Sequence, residues 1–160
     1  MTIKVGDKVP SATFMQMKSG TPQPVKSDDI FAGKKVVLFA LPGAFTPTCS
    51  AKHLPGFVQH ADDLRNKGVD AIACVSVNDA FVMGAWGEQQ HAGDKVMMLA
   101  DGNGDFTKAV GLEMDASRFG MGQRSQRYAM VVDNGVVKAL DVEEPGAFSV
   151  SSAEHVMKQL

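Results

Sequence analysis

Two thiols, Cys49 and Cys74, are the strongest nucleophiles available to this chain, and they stand in different surroundings. Cys49 ends the segment Pro42-Gly43-Ala44-Phe45-Thr46-Pro47-Thr48-Cys49. Upstream, Lys34 to Leu41 is a short apolar run that reads as a buried strand, stopped by Pro42-Gly43. Downstream, Thr46 as a cap and Pro47 at the first helical position signal a helix start, with Thr48 and Cys49 in its first turn. A sulfur in that position meets free backbone N–H groups and the positive end of a helix dipole. Both favour a thiolate. The competing reading of Cys49 is a small buried hydrophobe, the usual fate of a free cysteine. Cys74 lies inside Ala71-Ile72-Ala73-Cys74-Val75, where a buried, inert thiol is expected.

The other chemistry-bearing residues point nowhere else. His60, His91 and His155 have no ligand-like spacing with either cysteine, so no metal site is expected. Asp101-Gly102-Asn103-Gly104-Asp105 resembles part of a calcium loop but lacks the terminal glutamate, and reads as a turn. The methionines fall mostly in apolar segments, where core packing accounts for them. No cofactor is expected.

The elements that must position Cys49 follow from periodicity and turn chemistry. The segment up to Gly33 is rich in turn formers and suggests short edge strands and loops. The helix that opens at Thr46 should be kinked or split by Pro55-Gly56, its second part burying Phe57, Val58, Ala61 and Leu64 and ending at Gly68. Val69 to Val77 is a second strand, and Asn78-Asp79 caps a helix from about Ala80 to Gln90. Val96 to Ala100 is a third strand, and a short helix follows to about Val110. Tyr128 to Val132 and Val136 to Leu140, joined through Asn134-Gly135, form a hairpin. Ser151-Ser152-Ala153-Glu154 opens a last helix, as a capping box if Ser151 is the N-cap. Alternation of this kind gives an α/β fold with a mainly parallel sheet made mixed by the hairpin. A thioredoxin-like core fits the order, as do other α/β arrangements. In such sheets, ligands favour the carboxyl ends of strands, where Cys49 falls.

The 160 residues carry 21% charged and 44% apolar side chains and a net charge of −2, which gives no general pull toward nucleic acid or an anionic membrane. The length suits one domain, residues 1–160. No stretch is long and apolar enough to cross a bilayer, and Met1 to Asp7 shows no signal core, so a cytoplasmic, reducing setting is expected.

Pro42, Thr46 and Cys49 form the pattern Pro-x-x-x-Thr-x-x-Cys, which resembles the active-site signature of the peroxiredoxins. The longer string Pro42 to Ser50, with His53-Leu54-Pro55-Gly56-Phe57, is similar to the Prx5 subfamily. So are Val75 to Val82 and Arg127-Tyr128-Ala129-Met130-Val131-Val132. The resemblance runs in order along nearly the whole chain. It implies a thioredoxin-like fold and reduction of hydrogen peroxide and organic hydroperoxides through a Cys49 sulfenic acid. Thr46 stands where thioredoxin-type oxidoreductases carry the first cysteine of Cys-x-x-Cys, which disfavours dithiol exchange. Of four arginines, Arg65, Arg118, Arg124 and Arg127, the resemblance singles out Arg127 as the catalytic cation, and Arg118 and Arg124 read as solvated loop residues. It also implies that Pro42 shields the sulfur. His53 has a counterpart in the family and reads as structural.

A thiolate alone does not make a fast peroxidase. A thiol with a pKa of about 8.5 is already roughly 3% ionised at pH 7, so full ionisation gains only about thirtyfold. The peroxide must also be held in line with the sulfur and the departing oxygen stabilised.

Some Prx5 relatives carry a resolving cysteine near the C-terminus; here Gly146 to Ser152 contains none. The resemblance therefore implies a one-cysteine enzyme reduced by glutathione, often with glutaredoxin, with thioredoxin as second choice. It also implies a homodimer, with Phe45, Phe81, Trp86 and Phe119 lining the pocket or the subunit contact. A peroxide sensor or holdase signalling through Cys49 would use the same residues, and a plain structural α/β domain would leave Cys49 an ordinary thiol that alkylates slowly.

Overall fold

The computed structural model describes residues 1–160. An antiparallel hairpin opens the chain, β1 (Thr13–Lys18) and β2 (Thr21–Lys26), followed by a short helix α1 (Ser27–Phe31). The apolar run forms β3 (Lys35–Ala40), and a helix then begins at Pro47. Next come α2 (Leu54–Gln59), α3 (Ala61–Asn66), β4 (Ala71–Ser76), α4 (Ala80–Gln89), β5 (Met97–Ala100) and α5 (Asp105–Ala109). A two-stranded excursion, β6 (Glu113–Asp115) and β7 (Gln123–Ser125), precedes the hairpin β8 (Tyr128–Asp133) and β9 (Val136–Val142). Helix α6 (Ala153–Met157) closes the chain.

The main sheet runs β2-β1-β5-β4-β3-β8-β9. Strands β3, β4 and β5 are parallel, and β8 joins β3 antiparallel. This is the expected thioredoxin-like mixed sheet flanked by helices. Alternate residues of each central strand serve opposite layers, as strand geometry requires. Val37, Phe39, Ile72, Cys74, Ala129 and Val131 pack with α2, α3, α4 and α6, whereas Val36, Leu38, Ala73, Val75, Tyr128 and Met130 pack with α1 and α5. Apolar residues therefore face both sides of β3 and β4, which explains why these strands read as unbroken apolar runs.

Several local details differ from the sequence reading. Pro55 does not kink the helix at its own position. Residues Cys49–His53 instead form a π-helical turn, in which the Leu54 N–H donates to Cys49 O. Pro55 has no N–H for the regular ladder, and the wider turn absorbs that defect one turn upstream. The break between α2 and α3 falls at His60. The Thr46 side chain does not cap the helix: its hydroxyl donates to Gly43 O at 2.7 Å. Ser152, not Ser151, is the N-cap of α6, accepting from His155 N. The excursion β6–β7 leaves no signal in the sequence, because three-residue strands carry too little periodicity.

Candidate active site

Strand register assembles the site. Ala40, the last residue of β3, pairs with Tyr128, the first of β8. Tyr128 pairs in turn with Val142, the last of β9. The loop leaving β3, the residue before β8 and the residue after β9 therefore meet at one end of the sheet. These are the Pro42–Cys49 segment, Arg127 and Glu143, and Glu143 N donates to Arg127 O at 2.9 Å.

The Pro42–Thr46 loop is held tightly. Phe45 adopts a positive φ of 65°, a strained conformation for a bulky aromatic residue, which folds the chain so that Thr46 returns to Gly43. Asn78 Oδ1, at the carboxyl end of β4, accepts from Ala44 N at 3.0 Å. Arg124 donates through Nη1 to Pro42 O at 3.3 Å and through Nε to Met121 O at 3.0 Å. Arg124 is thus a half-buried brace of this loop rather than a solvated residue, while Arg118 is exposed as expected. A side chain at Gly43 would meet the Arg124 guanidinium at 3.0 Å, so glycine permits the close approach.

Cys49 is fully buried. Arg127 Nη2 donates to its sulfur at 3.1 Å. The same guanidinium sends Nη1 to His53 Nδ1 at 2.8 Å. Arginine can only donate, so Nδ1 is the acceptor; the ring proton then sits on Nε2, which donates to Ser151 O at 2.9 Å. Burial, reinforced by the Arg127 charge, lowers the His53 pKa to about 3 against the opposing pull of the Ser151 bond and Glu143. His53 is therefore a neutral imidazole in direct contact with Arg127, and more than a packing residue. Phe148 closes the far side, with its ring edge-on to His53 at 5.1 Å and under the Arg127 guanidinium at 5.9 Å.

Glu143 is buried behind this group. Its Oε2 accepts from Ser149 N, Val150 N, Ser151 N and Ser151 Oγ at 2.7 to 2.9 Å. Burial pushes its carboxyl up, but these hydrogen bonds outweigh that, and the net displacement is below the ordinary value. On the other side, Trp86 Nε1 donates to Ser50 Oγ at 3.0 Å and ties α4 to the turn that carries Cys49. Trp86 is fully buried, so it lines neither an open pocket nor a surface, whereas Phe45, Phe81 and Phe119 are exposed. Cys74 is fully buried on β4 and forms no disulfide. Burial pushes its thiol well up, the nearby Cys49 adds to this, and Arg127 offsets it in part.

The arrangement combines one buried sulfur, a guanidinium donating to it and a neutral imidazole fixing that guanidinium, which suits attack by sulfur on an oxidant. Residues 4–157 match the Redoxin family. The chain is 57% identical over 164 residues to rice "Peroxiredoxin-2E-2, chloroplastic", covering 99% of this chain and 73% of that protein. The chain is a peroxiredoxin. It is also 48% identical to Arabidopsis thaliana "Peroxiredoxin-2D" across 99% of this chain and 98% of that one. A crystal structure of reduced Prx3 from Vibrio vulnificus in complex with hydrogen peroxide superposes with a TM-score of 0.95 at 56% identity, covering 99% of both chains. At family level this peroxiredoxin is a thiol peroxidase with a thioredoxin-like fold. None of its helices is long and apolar enough to cross a membrane.

Sequence reasoning missed Glu143, Arg124 and the bridging role of His53. His53 stood one helical turn from Cys49, and that spacing was the available signal. Nothing local marks Glu143, which reaches the site only through the pairing of β8 with β9.

Proposed function

We propose that Cys49 is the thiol that attacks peroxide and that Arg127, Thr46 and Pro42 complete its site. The observation that carries this is the 3.1 Å hydrogen bond from Arg127 Nη2 to Cys49 Sγ. The thiolate attacks one peroxide oxygen, an S–O bond forms and the O–O bond breaks. The departing oxygen takes up a proton and leaves as water or an alcohol, and Cys49 becomes a sulfenic acid. Arg127 stabilises the negative charge as it passes from sulfur to oxygen. Thr46 Oγ1 has its proton committed to Gly43 O, so its lone pairs are free to accept from the peroxide O–H. In this reading Pro42 would shield the sulfur from water, and the Cys49 amide would be a further donor to the peroxide.

Reduction of the sulfenic acid falls to an outside thiol. Cys74 is buried and its thiol is pushed up, which opposes a resolving role. Gly146 to Ser152 holds no cysteine. We therefore read the chain as a one-cysteine enzyme of Prx5 type, acting as a single domain over residues 1–160. Its reductant is glutathione, with glutaredoxin, ahead of thioredoxin. The long Pro42–Phe57 match to Prx5 supports this assignment. The exposed Phe45, Phe81 and Phe119 support a homodimer. Steady-state peroxide consumption with glutathione, glutathione plus glutaredoxin, and thioredoxin supplied separately tests the reading. Turnover with thioredoxin alone would overturn the choice of reductant, and a single oxidation per thiol without turnover would favour a sensor.

A further inference from the structure

The Cys49–Arg127 pair does not stand alone; the far end of its hydrogen-bond chain is a carboxylate that touches no reacting atom. Arg127 could rotate away from the sulfur unless something fixed its second nitrogen. His53 does so, but only while Nδ1 is unprotonated, and Nδ1 stays an acceptor because Nε2–H is engaged by Ser151 O. Ser151 O is held there because the loop before α6 wraps around one oxygen of Glu143, which takes three successive backbone N–H groups and the Ser151 hydroxyl. The same loop carries Phe148, which covers both His53 and Arg127.

We propose that Glu143 is a positioning residue for peroxide reduction: by gathering residues 149–151 onto its carboxylate it keeps His53 an acceptor, and so aims Arg127 at Cys49. The proposal rests on the assignment of Cys49 and Arg127 as the reacting pair.

Removing the carboxylate frees the loop, withdraws Ser151 O and lets water reach the His53 ring. Burial is the largest influence holding that ring neutral, so wetting it moves the ring toward its ordinary value of 6.5; losing the Ser151 bond and the Glu143 charge acts the opposite way, but each is a smaller influence than burial. A protonated His53 then faces Arg127 with no acceptor and repels it.

The test compares wild type with Glu143→Ala, Glu143→Gln and Glu143→Ala/His53→Gln. Cys49 oxidation by hydrogen peroxide is followed from about pH 8 to about pH 5.5, together with ¹⁵N NMR of the His53 ring. In wild type the ring should keep its proton on Nε2 and not titrate in this range. In Glu143→Ala it should titrate. A ring that reached its ordinary value of about 6.5 would be about 90% protonated at about pH 5.5, so the rate relative to wild type should fall between the two pH values, by up to about tenfold. Glu143→Gln keeps an oxygen where the donors converge and should recover most of the loss. In the double variant the pH-dependent part should vanish, because glutamine does not titrate. Ser151→Ala, which removes one donor and spares the backbone, should give a weaker version of the same profile. A folded Glu143→Ala whose rate ratio is flat with pH and whose His53 does not titrate overturns the proposal. Arg127→Ala is the control: if it leaves Cys49 oxidation unchanged, the assignment of the reacting pair fails instead.

Discussion

Lowering the pH from about 7.5 to about 5 should cost the wild-type protein about 2 kcal/mol more folding stability than it costs His53→Gln. The folded protein holds His53 at about 3, whereas an unfolded chain leaves it near 6.5. The unfolded state therefore takes up the proton first as the pH falls. Stability is intact above about 6.5, declines by about 1.4 kcal/mol per unit below it, and stops declining near 3. Between about 6.5 and about 5 this amounts to about 2 kcal/mol. Glutamine can accept from Arg127 and donate to Ser151 O, but it has no proton to gain. It gives up ring contacts with Phe39, Phe57 and Phe148, so its stability is lower at every pH, and only the change with pH is compared. His60 and His155 are the same in both proteins, so any contribution they make cancels. Urea denaturation at the two pH values measures the difference as a midpoint displacement of about 1 M for a slope near 2 kcal/mol/M. Equal losses in the two proteins would refute the argument that burial and Arg127 keep this ring neutral.

Arg127→Ala should slow peroxide oxidation of Cys49 by about 10²–10³-fold, the usual effect of losing one preorganised donor to developing charge. Arg127→Lys should recover only part of that, since an ammonium cannot hold Sγ and Nδ1 at fixed angles together; stopped-flow rates at one pH decide both. Cys74→Ser should leave the peroxide rate within about twofold while lowering stability by about 1–3 kcal/mol, because a hydroxyl replaces a thiol in an apolar strand. A slowed reaction in that variant would return Cys74 to the mechanism. Gly111 has a φ of +72°, and an added Cβ would lie 2.5 Å from Met1 O, so Gly111→Ala should dislodge the segment that places Ile3 in the core. Thermal unfolding should register the loss, and an unchanged midpoint would contradict it.

What was legible in the sequence was whatever rested on local chemistry. The apolar runs that became β3 and β4 face helices on both sides, so they carry no alternation and are recognised by length and bounding turns. Asp79 caps α4, and Gly68, at a φ of +97°, follows α3, both as their residue types dictate. Cys49 was placed by Thr46 and Pro47, although Thr46 turned its hydroxyl back to Gly43 rather than into the helix. Glu143 shows why the rest was hidden. Asp133 pairs with Val136 across the Asn134-Gly135 turn, and an unbroken register would set Arg127 opposite Val142. A bulge opposite Val131/Val132 adds one residue to β9, so Tyr128 pairs with Val142 and Glu143 arrives beside Arg127. No turn signal announces that bulge. Ser151 and Ser152 are both good caps by type, and only the demand of a buried carboxylate assigns one to Glu143 and the other to α6. Arg124 and Arg127 likewise differ in duty only because of what the fold brings opposite each.

The role of Cys49 is tested most simply by mixing the reduced protein with limiting hydrogen peroxide. Fluorescence of Trp86, the single tryptophan, reports the reaction through its bond to Ser50 beside Cys49. Mass spectrometry of the quenched product locates the added oxygen. Wild type should show a fast phase with one oxygen on Cys49, and Cys49→Ser should show no such phase. An undiminished phase in Cys49→Ser, or oxygen found first on Cys74, would contradict it.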